Sequence, residues 1–566
     1  MKTLYIMITA VMLTALLFFA GAGMEKASAD EVRLSFSSTD GSACADIADG
    51  DYFTTEYFDP GTEITLTSET PLDALYVVWE NLPGEWKLRI NGRDYTFGQN
   101  DFLHEYVKMP AEAGTVTSVT LAVEGERITI ADIYGLSAGS LPGFVQNWEA
   151  PYEEADVLLI STHADDEVLF FGGIIPNYTD KGNVRVQVAY FTDLFQSEPF
   201  RNHEILNGLW TMGVTHYPQL GKFYDHYSES LEEAQGQYDY DASLEYIVRT
   251  IRRFKPQVVI GQDPLNGEYG HGGHIWCGRM VQDALEITGD PEQYPDSAAQ
   301  YGAWDVPKAY FHLYPDNAIE LNARTPLSSF GGKTELEVAK EAYLEHQSQQ
   351  WCWFYVSDGY DEEGNPDGYE YSCTRYGLYR SLVGADTSGN DILDNIVTYD
   401  DQIKAAKEAA EEEARLAAAA TEQAQEQAEE TPSAQSVVDE NSTMAVAGGK
   451  NTTAITVLVI IAAILLLAII GILVISRSRA RIREQERKLE RSRRNAEDRM
   501  RGRYRTNVQR SSSTYRASNS SGARTGSGTA RPSSVSQRTR QSAPRTGQES
   551  AARRNSNGSY SNTRGR

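Results

Sequence analysis

Between about residue 31 and residue 145, apolar and polar side chains alternate over short runs. Examples are Glu63-Ile64-Thr65-Leu66-Thr67, Leu75-Tyr76-Val77-Val78-Trp79, Ser118 to Val123, and Arg127-Ile128-Thr129-Ile130. Turn-forming residues separate the runs. A period of two broken by frequent turns predicts an all-β sandwich of jelly-roll type over residues 30–148. Trp79, Trp86 and Tyr95 sit in these runs and read as core in preference to a ligand platform. From about residue 155 the pattern changes. Val157 to Ile160, Val184 to Phe191, Val258 to Ile260 and Ala309 to Leu313 are continuous apolar runs, as in strands buried on both faces. Glu204 to Met212 and Leu244 to Phe254 carry apolar residues at helical spacing between them. Strand and helix alternation predicts an α/β domain over residues 149–398, Rossmann-like, with a mainly parallel sheet and flanking helices. In such a sheet, sites gather at the carboxyl ends of the strands.

Two segments are apolar all round. Leu4 to Ala20 is followed by Ala27-Ser28-Ala29 and by acidic Asp30-Glu31, the pattern of a secretory signal peptide over residues 1–29. Ala454 to Ile475 holds 22 residues without a charge, about 33 Å as a helix, which predicts a single transmembrane helix. Arg477, Arg479, Arg481 and Arg483 crowd its carboxyl side, so the positive-inside rule puts residues 476–566 in the cytoplasm and the amino-terminal domains outside the cell. Between these parts, residues 399–453 begin rich in Ala, Glu and Gln and read as a helical stalk or a disordered linker.

Charge sharpens this layout. The chain has 566 residues and a net charge of −29. From Ser476 onward there are 24 basic and 6 acidic residues, a balance of +18, which leaves −47 for the rest. The basic tail is rich in Ser, Arg and Gly, cannot bury enough surface to fold alone, and suits anionic lipid head groups. The acidic remainder makes nucleic acid an unsuitable substrate. Four cysteines in this length exclude a disulfide-framework mini-protein and a CxxC zinc ribbon. Cys352 and Cys373 bracket a Tyr/Asp/Gly-rich loop and suggest an extracellular disulfide.

The candidate chemistry lies at the end of the first α/β strand, in Thr162-His163-Ala164-Asp165-Asp166-Glu167. Imidazole and carboxylate at one strand mouth suit Zn²⁺. Two adjacent carboxylates divide naturally into one ligand and one free base that takes a proton from water. Gly270-His271-Gly272-Gly273-His274 follows the strand Val258 to Ile260 and opens a helix. One of its two histidines, with His163 and an aspartate, completes three protein ligands and leaves a position open, the pattern of a catalytic zinc site.

These two motifs, in this order, resemble the LmbE/PIG-L family of zinc-dependent N-deacetylases. Thr162 to Glu167 stands where that family has Pro-His-Pro-Asp-Asp-Glu, and His271 to His274 matches its His-x-x-His. Arg201-Asn202-His203-Glu204 and Lys340 with His346-Gln347-Ser348-Gln349 are weaker matches. The resemblance spans roughly residues 150–380 and departs at Thr162 and Ala164, where the family has proline. It implies that His163, Asp166 and His274 bind Zn²⁺ and that Asp165 is the general base. It implies further that His271 steadies the oxyanion or protonates the leaving amine, and that Arg201 binds substrate. His203, His216 and His226 read as surface or core residues, and Asp193 as a helix cap or a neighbour of the site. The sandwich resembles galactose-binding, discoidin-like jelly rolls in its strand rhythm and in Ala48 to Thr54, which implies an accessory glycan-binding role.

The expectation is a single-pass cell-membrane protein whose extracellular domain removes acetyl groups from an N-acetylated glycan of the cell wall or surface. The alternative is a surface glycan-binding or adhesion protein with an inactive deacetylase-like domain.

Overall fold

A computed structural model describes residues 28–350 and 353–429. The alternating runs form two antiparallel sheets of five strands each. One contains Glu63–Ser68, Ser118–Ala122 and Trp86–Ile90; the other contains Ala74–Trp79, Ile128–Leu136 and His104–Lys108. Ile64, Leu66, Leu88, Leu121 and Trp79 share the core between the sheets, and Trp86 is buried there as well. Ala74–Trp79 is buried along its whole length. Leu75, Val77 and Trp79 face the sandwich core, while Ala74, Tyr76 and Val78 pack with Leu136 and Val145 on the other side. The alternation read for Leu75 to Trp79 does not hold: both faces of this strand are covered, so it has no polar face.

The second layer is a six-stranded sheet in the order Val186–Tyr190, Val157–Ser161, Val258–Gly261, Lys308–His312, Arg375–Ser381, Ala318–Glu320. The first four strands are parallel and every residue in them is buried. The chain passes from Val157–Ser161 to one neighbour, Val186–Tyr190, and later returns to the other, Val258–Gly261. A sheet wound this way has its crevice where the winding direction switches, here beyond the carboxyl ends of Val157–Ser161 and Val258–Gly261.

The expected fold class needs correction on two points. The six-stranded sheet is mixed, because Arg375–Ser381 runs antiparallel to both of its neighbours. The segment between His312 and Arg375 starts and ends at the same edge of the sheet, with His312 opposite Tyr376, so the next strand has to run backward. Nor is a single transmembrane helix part of the described architecture: no helix among the described residues is long and apolar enough to cross a membrane. Residues 1–27 of the expected leader (1–29), and the segments 454–475 and 476–566 to which the span and the basic tail were assigned, lie outside the described residues. Ala29, the expected cleavage point, is buried and donates its N–H to the Ser140 carbonyl.

The stalk expected from residue 399 is a 31-residue helix, Tyr399–Glu429. Its root is fixed: the Tyr399 N–H donates to Asp156, its hydroxyl donates to the Lys255 carbonyl at 2.7 Å, and Asp400 pairs with Arg185. The disulfide suspected at Cys373 is not formed there. Its thiol is free and buried in the core, and Cys352 lies outside the described residues.

Candidate active site

The strand Val157–Ser161 delivers the first motif into the crevice. Thr162 donates its N–H to Gln262 Oε1 at 2.9 Å, its hydroxyl reaches the same oxygen, and its carbonyl accepts from Thr192. A proline at this position would have no N–H to give, so side-chain bonds hold the loop that a pyrrolidine ring stiffens elsewhere. Asp165 then takes φ 91°, a strained backbone for a residue with a Cβ, and caps the short helix Asp166–Leu169. The turn separates the two carboxylates, so that Asp165 and Asp166 face different partners.

The second motif follows Val258–Gly261. His271 is the N-cap of the helix Gly272–Ile287, and its Nδ1 accepts the Gly273 N–H at 3.0 Å. The glycines answer to crowding. A Cβ on Gly272 would lie 1.9 Å from the Ser230 carbonyl, and one on Gly273 would lie 3.0 Å from the His271 ring and 3.2 Å from His163 Nε2.

His163 Nδ1 is 3.0 Å from His274 Nε2 and 3.2 Å from one Asp166 oxygen; the other Asp166 oxygen is 3.3 Å from His274 Nε2. Ligands at about 2.0–2.1 Å around one tetrahedral zinc stand about 3.3 Å apart, so this triangle has the spacing of a metal-binding face. Nitrogens of His163, His271 and His274 also lie within 4.8 Å of one another. The electrostatics ask for a cation. Burial disfavours a charge on His274, but Asp166 and Glu268 outweigh it and push its pKa up to about 10. Burial likewise disfavours ionised Asp166, yet His274 and His163 hold it well below the usual carboxylate range. A divalent ion meets the same demand.

Asp165 and His271 are set differently. Burial, with Asp166 as a like-charged neighbour, pushes Asp165 up to about 7 against the pull of Arg201. Arg201 comes from the helix Phe200–Thr211; its Nη2 donates to the Ala164 carbonyl at 2.6 Å and lies 3.5 Å from Asp165. Burial drives the His271 pKa far down, with His163 and His274 adding to the effect. Because the neutral ring accepts at Nδ1, its proton sits on Nε2, which makes that nitrogen a donor. All six residues singled out from the two motifs and from Arg201 therefore meet in one crevice.

Several partners were missed. Glu268 is fully buried, 2.8 Å from His274 Nδ1 and 2.6 Å from His312 Nδ1. Burial would raise its pKa, but both histidines hold it at about 2. It fixes the orientation of His274. Asp225 faces His163 Nε2 at 3.4 Å. Glu167 bonds His346 at 2.6 Å and the Asp165 N–H at 2.9 Å, while Glu204 accepts from the N–H and hydroxyl of Ser348. The weaker family matches thus brace the first motif, whereas Lys340 is exposed. His203 is buried against the sandwich, His216 stacks on Tyr152, and His226 lies against Tyr224 and Tyr238; none joins the cluster.

Residues 158–285 match the family model PIG-L, described as GlcNAc-PI de-N-acetylase. The 1D-myo-inositol 2-acetamido-2-deoxy-alpha-D-glucopyranoside deacetylase of Rhodococcus opacus (strain B4) is 32% identical over 194 residues, which cover 30% of this chain and 64% of that protein. The protein of the same name in Streptomyces scabiei (strain 87.22) is 28% identical over 189 residues, covering 29% and 57%. This chain thus spans about three fifths of the length of the curated relatives it matches. Among solved structures, N,N'-diacetylchitobiose deacetylase from Pyrococcus horikoshii is 18% identical with a TM-score of 0.28, covering 35% of this chain and 72% of that one. All six candidate site residues lie within 158–285, the segment that is similar to the PIG-L family.

Proposed function

We propose that this chain is a zinc-dependent N-deacetylase that hydrolyses the acetamido group of an N-acetylated sugar, releasing acetate and the free amine. The observation that carries the reading is the meeting of His163, Asp166 and His274 at mutual distances of 3.0–3.3 Å, with Asp165 and His271 beside them. The names of the relatives support the acetamido sugar. The leader pattern before Asp30 supports an exported enzyme and an extracellular glycan as its substrate.

Zinc, when bound by these residues, supplies a Lewis acid and brings the pKa of water toward ~7. Asp165, with a pKa raised to about 7, takes the proton of the attacking water and hands it to the leaving nitrogen. His271, kept neutral, presents its Nε2–H as a fixed donor to the carbonyl oxygen as negative charge develops there. Arg201 holds the Ala164 carbonyl and thereby the turn on which Asp165 rides. A binding protein with a dead site has less support, since the base, the three candidate ligands and their bracing partners all stand in bonding register.

The test is acetate release by the full chain from N-acetylglucosamine and its oligomers, before and after chelation and with zinc restored. Activity is expected to vanish on chelation and return with zinc. Asp165→Asn is expected to cost about 10²–10⁴-fold in kcat with metal content unchanged. A zinc-loaded chain that released no acetate across a broad panel of N-acetylated sugars would sink the reading.

A further inference from the structure

Aromatic rings rise from the catalytic histidines to the surface. The His271 ring is flanked edge-on by Tyr227, centroids 5.0 Å apart, and by Tyr269 at 5.6 Å. Tyr269 in turn meets Phe354 at 4.7 Å, and both Trp353 and Tyr371 at 6.3 Å. The row ends in open surface: Tyr227 is 67% exposed and Trp353 60%. Exposed large rings contiguous with a reaction centre are unusual on a soluble surface and mark a ligand groove.

We propose that this row is a sugar-binding subsite for a neutral oligosaccharide, with Trp353 as the platform for the ring next to the N-acetylated sugar being hydrolysed. The inference rests on the deacetylase reading above and specifies its substrate as a chain of sugars, not a lone monosaccharide. Two features favour a neutral chain. The apolar face of a pyranose stacks on an aromatic ring, and rings extending away from His271 offer such faces only to a ligand that continues past the reacting residue. The charges nearby repel an anionic conjugate: Asp225 and Glu198 carry carboxylates at the crevice, Glu370 lies exposed beside Tyr371, and Arg201 is already shared by the Ala164 carbonyl, Asp165 and Glu198.

The test compares N-acetylglucosamine with its tetramer on the full zinc-loaded chain. Wild type is expected to prefer the tetramer in kcat/KM. Trp353→Ala is expected to lose about tenfold more on the tetramer than on the monosaccharide, and Trp353→Phe to recover most of that difference. Tetramer binding by Asp165→Asn, measured by calorimetry, gives a readout without turnover and should weaken by about tenfold when Trp353→Ala is added. Equal losses on both sugars, or tighter binding of a phosphorylated sugar than of the neutral tetramer, would overturn the subsite. Binding that depends on Trp353 in a chain that hydrolyses no acetamide would keep the subsite and overturn the deacetylase reading. Hydrolysis of tetramer and monosaccharide alike would do the reverse.

Discussion

Asp165 concentrates the residue-scale problem. Its φ of 91° is a conformation most residues avoid, and a chain of bonds over-determines it: Glu167 holds its N–H, His346 holds Glu167, and Arg201 holds the preceding carbonyl. Glu268 plays the corresponding part for His274, a candidate metal ligand. Glu268→Gln keeps the shape but removes the charge that orients His274, and it is expected to weaken zinc binding by about 10–100-fold, read by competition with a chelator. A variant that bound zinc like wild type would show that Glu268 only fills space. The six candidate residues were legible as a group because their chemistry is packed into two short stretches, His163 to Asp166 and His271 to His274, plus one arginine. Glu268, Asp225 and His312 were not. Each is a common residue type in its own stretch, and only burial and a distant partner give it a role. Glu268 had one visible signal, its place just ahead of the glycine-rich loop.

At the scale of elements, the amino end of Gly272–Ile287 is where backbone geometry and site geometry become the same constraint. Gly273→Ala should favour the helix by propensity, yet its Cβ would press on the His271 ring and on His163, which are fixed by their own contacts. The expected outcome is reduced zinc occupancy by elemental analysis, with circular dichroism and thermal midpoint close to wild type. Retained occupancy would mean that the rings can yield. The parallel strands were readable because burial on both faces leaves an unbroken apolar run, as in Val157 to Ile160. Arg375–Ser381 was not, since Arg375-Tyr376-Gly377-Leu378-Tyr379-Arg380-Ser381 shows neither a continuous run nor a clean alternation. Its glycine has a tertiary cause: a Cβ on Gly377 would lie 2.2 Å from the Tyr314 carbonyl.

The sandwich and the α/β layer pack into a single compact unit. The helix Phe200–Thr211 joins them: Arg201 and Glu204 bond on the side of the candidate site, while His203 Nδ1 meets His104 Nε2 of the sandwich at 2.9 Å. His104 is also bonded to Gln146 and Tyr76, and His203 to Glu80. Burial, reinforced by His203, holds the His104 pKa well below its ordinary 6.5. Above 6.5 the ring is neutral folded or unfolded, and pH has no leverage through it. As pH falls below 6.5, the unfolded chain takes up a proton that the folded interface refuses, so stability drops by at most about 1.4 kcal/mol per pH unit from this group. Thermal midpoints at pH 7.5 and 5.5 should therefore diverge more in wild type than in His104→Gln; equal divergence would remove His104 from the account. Nothing in the sequence announced this joint, since His104 lies in no motif and His203 fills an unspecified position between Arg201 and Glu204.

The helix Tyr399–Glu429 is rooted beside Asp156 and Lys255, at the amino ends of the strands whose opposite ends carry the candidate catalytic residues. At about 46 Å it is longer than a small domain is wide. For anyone building with this protein it is a ready-made handle. A bead, a sensor surface or a fused enzyme joined beyond Glu429 would hang from the side away from the candidate site, so immobilisation at that end should leave the site open to a polymer too large to diffuse around an obstacle.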